Sequence, residues 1–599
     1  MSPPTMLSLP LGPLERAFVA MLQRLEPQTP RSVLLAAALC CQALSRGDVC
    51  LLLEAWAGKQ PWPEHLELLP DLDTWLEALQ QAPLVGAPGD YKPLILEDQR
   101  LYLARYQAYE QALAEDLQRR MDKPLSYDEP QLAQSVQRLF AANTQTPDWQ
   151  RLAAVQAVRC PLAIISGGPG TGKTTTVVRL LAALLEQPNG STLSIGLAAP
   201  TGKAAARMAE AIRLAKAKLP ISDELKAKLP DEACTLHRLL GSRGDTPQVR
   251  YHAGHPLALD VLVVDEASMV DLALMAKLVA ALPAKARLIL LGDKDQLSAV
   301  EAGAVFAELC EGAGWSPETT RQLQQITGQA VSGSPPESQL GEAVVLLTHS
   351  HRFAGDSGIG ELARYVNQGA TDSALKLLKE SRPDLSWQPK PQQKALLERL
   401  AQAYAPYWAV CALPEVEPAE AFEAFSQFRA LTAVREGPLG LVELNTELEN
   451  RCKRRLGRPA HERWYAGRAI MVRQNDYALG LFNGDIGICL PSDQGLRVFF
   501  EAEQGYRSFA PARLPAHDTA LAMTVHKSQG SEFDRVLLVL PDQPSPLLNR
   551  ALLYTGITRA RHQVELWARI ERLSEAIKLK TERAAGLAAR LRLATELSP

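Results

Sequence analysis

Basic charge is what this sequence lacks. Its 599 residues carry 64 lysines and arginines against 67 aspartates and glutamates, a formal net of −3. A protein that simply coats nucleic acid carries a basic excess, so any nucleic-acid role here must use a local groove. Cysteine is scarce too, nine in all. No CxxC pair occurs, which leaves a zinc knuckle or an iron–sulfur cluster without local support. Cys40, Cys41 and Cys50, in or beside an apolar helical stretch, read as buried thiols of a reducing compartment. The apolar run Val33–Cys41 is about half a membrane span. The first residues, MSPPTMLSLPLGPLERAF, lack a basic region followed by an apolar core. A cytoplasmic protein with no membrane role is expected.

What is present is ordinary globular composition, 46% hydrophobic and 22% charged, which excludes collagen-like and wholly disordered chains. At roughly 150 residues per domain the length allows about four domains. Charge is unevenly spread: residues 1–120 hold 10 basic and 15 acidic side chains, whereas 551–599 hold 9 and 5. The front segment is therefore a poor polyanion binder.

Residues 1–121 read as mainly helical, from the Leu/Ala periodicity of LERAFVAMLQRL and RSVLLAAALCCQAL. The extended PLILEDQRLYLARY interrupts them as a hairpin or an edge strand pair. Polar residues 122–146 read as a linker. Beyond it, short apolar runs alternate with helices: Leu162–Ser166, Leu193–Ala198, Val261–Val264, Leu288–Leu291, Ala430–Ala433 and Val536–Leu540. Each ends in a loop rich in Gly, Asp, Thr or Pro, the pattern of buried parallel strands with sites at their C-terminal ends. Residues 316–342 are polar, and Gly/Ser/Pro-rich in their second half, and read as a surface loop. Four extended pieces between turn residues in 465–516 predict a small inserted β-barrel.

The strongest chemical signal is GGPGTGKT, Gly167 to Thr174, between the apolar strand LAIIS and the helix TTVVRLLAALL. It satisfies G-x-x-x-x-G-K-[ST] in the required strand–loop–helix context. Glycines let backbone N–H groups approach phosphates, and the helix N-terminus adds a positive dipole end. Lys173 supplies a mobile charge for the β- and γ-phosphates, and Thr174 a hydroxyl for Mg²⁺. The expected cradle is Gly167, Gly168, Pro169, Gly170, Thr171, Gly172, Lys173, Thr174 and Thr175. At the end of LDVLVVDEAS, Asp265 is placed to hold Mg²⁺ through water and Glu266 to polarise an attacking water. Alone, this pair could be an acidic helix cap after a strand.

Further segments narrow the class: WQRLAAVQAV (149–158), LAAPTGKAAARM (197–208), TLHRLLG (235–241), LLGDKDQLSAVEAG (290–303), LTHSHRF (347–353), AMTVHKSQGSEFDRV (522–536) and YTGITRAR (554–561). In this order they resemble the motif set of a superfamily 1 helicase. With ALGLFNGDIG, they resemble more closely the RecD family, alpha subunits of exodeoxyribonuclease V (the RecBCD helicase–nuclease), strongly over about 140–570.

That resemblance implies an α/β chain with two RecA-like P-loop NTPase domains, an N-terminal mainly helical partner-binding domain and an inserted SH3-like β-barrel. The implied division is 1–121, linker 122–146, motor domain 1 at 147–343, motor domain 2 at 344–464 and 517–599, and the barrel at 465–516. It also implies ATP and Mg²⁺ as cofactors, 5′→3′ movement on single-stranded DNA, and beta and gamma subunits as partners at duplex DNA ends. No carboxylate cluster with metal-site spacing is found outside the ATPase motifs, so any nuclease is expected on another subunit.

Carried residue by residue, Gln150 matches the glutamine that reads adenine, or is a solvent-facing helix glutamine. Gln296 matches the sensor that couples the γ-phosphate to DNA. Arg352 and Arg559 match arginines donated by the second motor domain to the transferring phosphoryl group, which ties hydrolysis to cleft closure. Glu532 matches the ribose-binding glutamate. DNA contacts are expected from Thr201, Lys203, Thr235, His237, Thr524, His526 and Lys527, groups suited to sequence-independent phosphate tracking. His526 fits a packed loop histidine equally well. Phe482 and Tyr477 are either stacking aromatics or barrel core, and Asn483–Gly484 reads as a hairpin turn. A self-sufficient helicase and a scaffold with a vestigial ATPase are the alternatives. The intact Lys173, Asp265, Glu266, Gln296, Arg352 and Arg559 argue against the scaffold, and the acidic front segment against the self-sufficient form.

Overall fold

The computed structural model describes residues 9–593 except 63, 66, 124, 142–146, 243–245, 354–356, 477 and 503–504. Among these residues no helix is long and apolar enough to cross a membrane. Tyr477 and the end of the expected linker, 142–146, lie outside the described residues.

The apolar runs build two parallel sheets, as all-buried Leu/Ile/Val segments require. The first has six strands in the order Val344–Leu347, Leu162–Gly167, Arg287–Gly292, Val261–Val264, Ile195–Ala199, Cys234–Thr235. The second has five, in the order Leu385–Gln388, Ala560–Trp567, Phe533–Val539, Phe428–Thr432, Ala522–Thr524. Strand Val344–Leu347, expected to open the second motor domain, is instead the edge of the first sheet. Val344 pairs with Ile164 and Leu347 with Gly167, beside the phosphate loop. Continuous apolar residues suited it to either sheet; pairing decided which.

A third sheet is antiparallel: Tyr506–Phe509, Gly495–Glu501, Ile486–Ser492, Ala469–Val472, His517–Thr519. It extends past the expected boundary at 516, because His517–Thr519 pairs with Ala469–Val472. Its small core is Ile470, Val472, Leu481, Cys489, Val498, Phe500 and Phe509.

In the N-terminal part, helices Pro13–Leu25 and Arg31–Ser45 pack on a mixed sheet of four short strands. The expected hairpin is strands Leu94–Glu97 and Arg100–Leu103, turning at Asp98 with φ 52°. Cys40, Cys41 and Cys50 are buried, and all nine cysteines are free thiols. Helix Ala104–Met121 leaves this sheet and docks on helix Leu272–Ala281 beside the six-stranded sheet. Arg120 donates to the carbonyls of Val279, Leu282, Pro283 and Ala286, satisfying that helix's C-terminal end.

Two expectations about loops are corrected. Within 122–146, helix Glu129–Leu139 is capped by Asp128 and buries Leu132, Val136 and Leu139 in the core on one face of the six-stranded sheet. Spacing of i, i+4, i+7 gives it an apolar stripe. Within 316–342, helix Pro317–Thr327 is capped by Ser316, buries Leu323 and Ile326, and stops at Gly328 with φ 67°. Two such side chains contribute about 3–6 kcal/mol on burial, enough to dock a largely polar helix. After helix Ile570–Lys578 the chain returns from the five-stranded sheet, and helix Leu587–Leu591 packs on Ala104–Met121.

Candidate functional site

The phosphate loop follows a fully buried strand and feeds helix Lys173–Leu185. Gly170 and Gly172 have φ of 77° and 79°, backbone that side chains rarely adopt. A Cβ on Gly170 would collide with Arg352 Cβ, and one on Gly172 with Gln150 Nε2. Lys173 Nζ donates to the carbonyls of Gly167 and Gly168 at 2.6 and 3.3 Å. Pro169 O accepts from Ser350 Oγ and Gly170 O from His351 N, so 350–352 lies on the loop. Thr174 and Thr175 sit in the helix's first turn.

Gln150 is buried rather than solvent-facing, on helix Trp149–Arg159, which Asp148 caps. Its Nε2 donates to Thr171 O at 2.9 Å and lies 3.2 Å from His351 Nε2.

Asp265 directly follows strand Val261–Val264 and accepts from Glu266 N at 2.8 Å. Burial, with Glu266 beside it, pushes its carboxyl up to about 6, against the pull of Lys173. Glu266 occupies left-handed backbone, φ 52° and ψ 38°, strain of about 1–3 kcal/mol of the kind held at functional sites. Asp293 is buried and also raised, by burial first. It accepts from Gln296 Nε2 at 2.9 Å and from Tyr554 O–H at 3.0 Å.

The second sheet's loops close on this end of the first. Arg559 Nη2 donates to Gln296 Oε1 at 2.6 Å and Nη1 to Ser531 O at 3.2 Å. Leu297 N donates to Thr555 Oγ1 at 2.9 Å, and Gln529 Nε2 to Leu297 O at 2.7 Å. Arg352 Nη2 meets Glu532 Oε1 at 2.5 Å, with Arg561 3.4 Å from the other oxygen. Burial alone would raise Glu532, yet Arg352, Arg207 and Arg561 hold it below its ordinary value. Arg207 also donates to Gly530 O.

The expected DNA-contacting residues lie at C-terminal strand ends of both sheets or in the first helical turns that follow them. Thr201 and Thr235 cap helices through their side-chain oxygens, at 3.2 Å from Ala204 N and Arg238 N. Thr524 Oγ1 accepts from Lys527 N at 3.4 Å. Lys203 is pushed down to about 8 by burial, with Arg207 and Arg429 adding to it. His526 is lowered by burial and then by Arg583, whereas His237 is exposed. The third sheet reaches this face: Lys527 Nζ donates to Asn483 Oδ1 at 3.0 Å, and a Cβ on Gly202 would meet the Phe482 ring at 3.4 Å. Asn483–Gly484 forms a tight turn, with Asp485 N donating to Phe482 O and Gly484 at φ 96°.

Sequence reasoning missed Asp293, Tyr554, His351, Gln529 and Arg207. Each falls inside a quoted motif, and only packing shows which motif residues face one another. Three family models match the chain: an AAA domain over 150–302, the N-terminal domain of RecBCD enzyme subunit RecD over 10–102, and a UvrD-like helicase C-terminal domain over 519–566. The RecBCD enzyme subunit RecD of Haemophilus influenzae is 35% identical over 94% of this chain and 93% of its own. That of Mycolicibacterium smegmatis is 39% identical over 97% and 98%. The ATP-dependent RecD2 DNA helicase of Deinococcus radiodurans is 31% identical over 67% of this chain but 46% of its own length. Among solved structures, Bacteroides Pif1 bound to ssDNA aligns at 16% identity and a TM-score of 0.37, too distant a likeness to argue from.

Proposed function

The chain belongs to the family of the RecBCD enzyme subunit RecD, and on that premise we propose that it is the ATP-driven 5′-to-3′ single-stranded DNA translocase and helicase subunit of a RecBCD-type exodeoxyribonuclease V. In that complex it processes duplex DNA ends for recombinational repair in the cytoplasm. Its partners are the beta and gamma subunits, and the antiparallel sheet is the SH3-like insert of the second motor domain. Near full-length coverage of the RecD relatives supports the subunit over the self-sufficient form.

One observation carries the mechanism: Gln296 of the first motor domain and Arg559 of the second are joined by a hydrogen bond at 2.6 Å beside the phosphate loop. ATP phosphates would lie on the backbone amides of 167–174, with Lys173 swinging from its carbonyls to the β- and γ-oxygens. Gln150, fixed on Thr171 O, stands at the loop's flank to read adenine. Glu266 orients the attacking water. Arg352 exchanges Glu532 for the γ-phosphate, freeing Glu532 for the ribose, while Gln296 passes the change through Arg559 to the loops at 524–532 that hold DNA. Thr174 and Asp265 fit a divalent cation: Asp265 is half-buried and crowded by Glu266, a strain that a cation relieves. Mg²⁺, when bound, supplies positive charge to the β- and γ-phosphate oxygens. Thr201, Lys203, Thr235, His237, Thr524, His526 and Lys527 track the phosphate backbone across both domains.

Lys173→Gln tests this reading. DNA-stimulated ATP hydrolysis should disappear, and undiminished turnover in the purified variant would overturn the site assignment.

A further inference from the structure

The loop that carries Gln296 is gripped from two sides. On one side Asp293, Gln296 and Leu297 hold Tyr554, Arg559, Thr555 and Gln529 of the second motor domain. On the other, the same loop's next residues meet a side chain that no ATPase motif includes. Arg583 sits on the return segment that runs from helix Ile570–Lys578 toward helix Leu587–Leu591. Its Nη2 donates to Ala299 O at 2.5 Å, and its Nη1 donates to Glu301 O at 2.8 Å and Gly303 O at 2.9 Å. A guanidinium is the one side chain whose rigid fork spans three carbonyls at once.

The N-terminal domain closes the joint. Gly303 N donates to Gly47 O at 2.9 Å. Ala584 N donates to Asp48 Oδ1 at 2.8 Å, and Val49 N to Ala584 O at 2.7 Å. Gly47 has φ 93°, and a Cβ there would lie 2.7 Å from Arg583 Cζ. Only glycine leaves room for the guanidinium. Further along the same segment, Arg590 pairs with buried Glu110 at 3.1 Å and with Glu97, and Gly586 N donates to Glu110 Oε2 at 2.9 Å. Burial lowers His526, on the loop assigned to DNA, and the charge of Arg583 adds to it.

We propose that Arg583 is a positioning residue for ATP hydrolysis: it sets the 299–303 loop so that Gln296 stays engaged with Arg559, and through Gly47 it makes that setting depend on the N-terminal domain. The proposal rests on the reading of Gln296 as the γ-phosphate sensor. A half-buried arginine that merely glued three parts together would affect stability alone. One that sets Gln296 affects turnover at constant ATP affinity, because small displacements of a transition-state group cost rate more than binding.

The test uses the full chain, measuring kcat and KM for ATP with saturating single-stranded oligothymidylate, beside thermal unfolding. Arg583→Ala should lower the DNA-stimulated kcat by roughly ten-fold or more with KM changed less than about two-fold. Low-millimolar guanidinium ion should restore part of that rate, and Arg583→Lys should recover less than the added ion does. Gly47→Ala, in the N-terminal domain, should reproduce the kcat loss by displacing the guanidinium. Should Arg583→Ala fail to fold, Arg583→Lys and Gly47→Ala give the same readout. Wild-type turnover in a folded Arg583→Ala protein, or a loss that follows unfolding and resists guanidinium, overturns the proposal alone. Wild-type protein that hydrolyses no ATP removes the motor reading and this proposal with it.

Discussion

Arg559 Nη2 and Gln296 Oε1 are 2.6 Å apart although the two residues hang from different sheets. Arg559 is 3% exposed and Gln296 6%, so neither can exchange its partner for water. The bond therefore reports whether the two motor domains are docked. Arg559→Ala should reduce DNA-stimulated kcat by about 10³-fold and lower stability by about 2–4 kcal/mol, since buried polar groups lose their partner. A double-mutant cycle with Gln296→Ala, read in steady-state ATPase and urea unfolding, checks it. Additive effects would mean that the pair is not coupled.

Asp265 gives the site a pH signature. Its carboxyl is held up to about 6, so it is protonated below that pH and ionised above it. Binding of magnesium–ATP should fall as pH drops through about 6. A folded-state value above the unfolded one also means that ionisation opposes folding: stability is greater below the unfolded value and is lost as pH rises through about 6. Asp265→Asn should therefore raise the unfolding free energy at neutral pH, by on the order of 1–3 kcal/mol, while abolishing turnover. Titrating a fluorescent ATP analogue across pH, and melting both proteins, decides both points. A variant less stable than wild type at neutral pH contradicts them.

Lys203 should make DNA binding fade in alkali. Burial beside Arg207 and Arg429 lowers its ammonium to about 8, so its charge is present below that pH and lost above it. Affinity for single-stranded DNA should decline as pH is raised through about 8, and Lys203→Arg should flatten that decline. Lys203→Ala should also reduce the salt dependence of binding by roughly 0.7 of a unit in log–log slope. An unchanged slope would place Lys203 off the phosphate path.

Assembly should depend on the surface of the N-terminal domain. Removing residues 1–120 would strip helix Ala104–Met121 from the motor core and take Arg120 from the helix end it satisfies, so surface changes are the cleaner probe. Leu14 and Leu25 are 64% and 62% exposed on helix Pro13–Leu25. Leu14→Glu with Leu25→Glu should weaken co-purification with beta and gamma subunits while ATPase and melting stay as in wild type. Undiminished recovery of the complex would place the contact elsewhere.

What the sequence made legible was whatever is contiguous. A strand, a glycine loop and a helix in immediate succession announce a phosphate site, and Asp265 follows directly from its own apolar strand. The strands themselves were legible because both faces are buried. Contacts made only by folding were not. Tyr554 and Asp293 look ordinary until two sheets dock, and Val344–Leu347 has no local feature to say which sheet it joins. Helix Pro317–Thr327 hid because two apolar residues in a polar stretch give a weak period. Arg583 carried no signal at all, since its meaning is three carbonyls nearly three hundred residues away.

The most direct test of the central claim is strand displacement by the full chain on duplexes carrying either a 5′ or a 3′ single-stranded tail, with ATP and magnesium, beside Lys173→Gln. A motor of the proposed kind displaces the strand from the 5′-tailed substrate only, and the variant displaces neither. Preference for the 3′ tail, or displacement that survives Lys173→Gln, would contradict it.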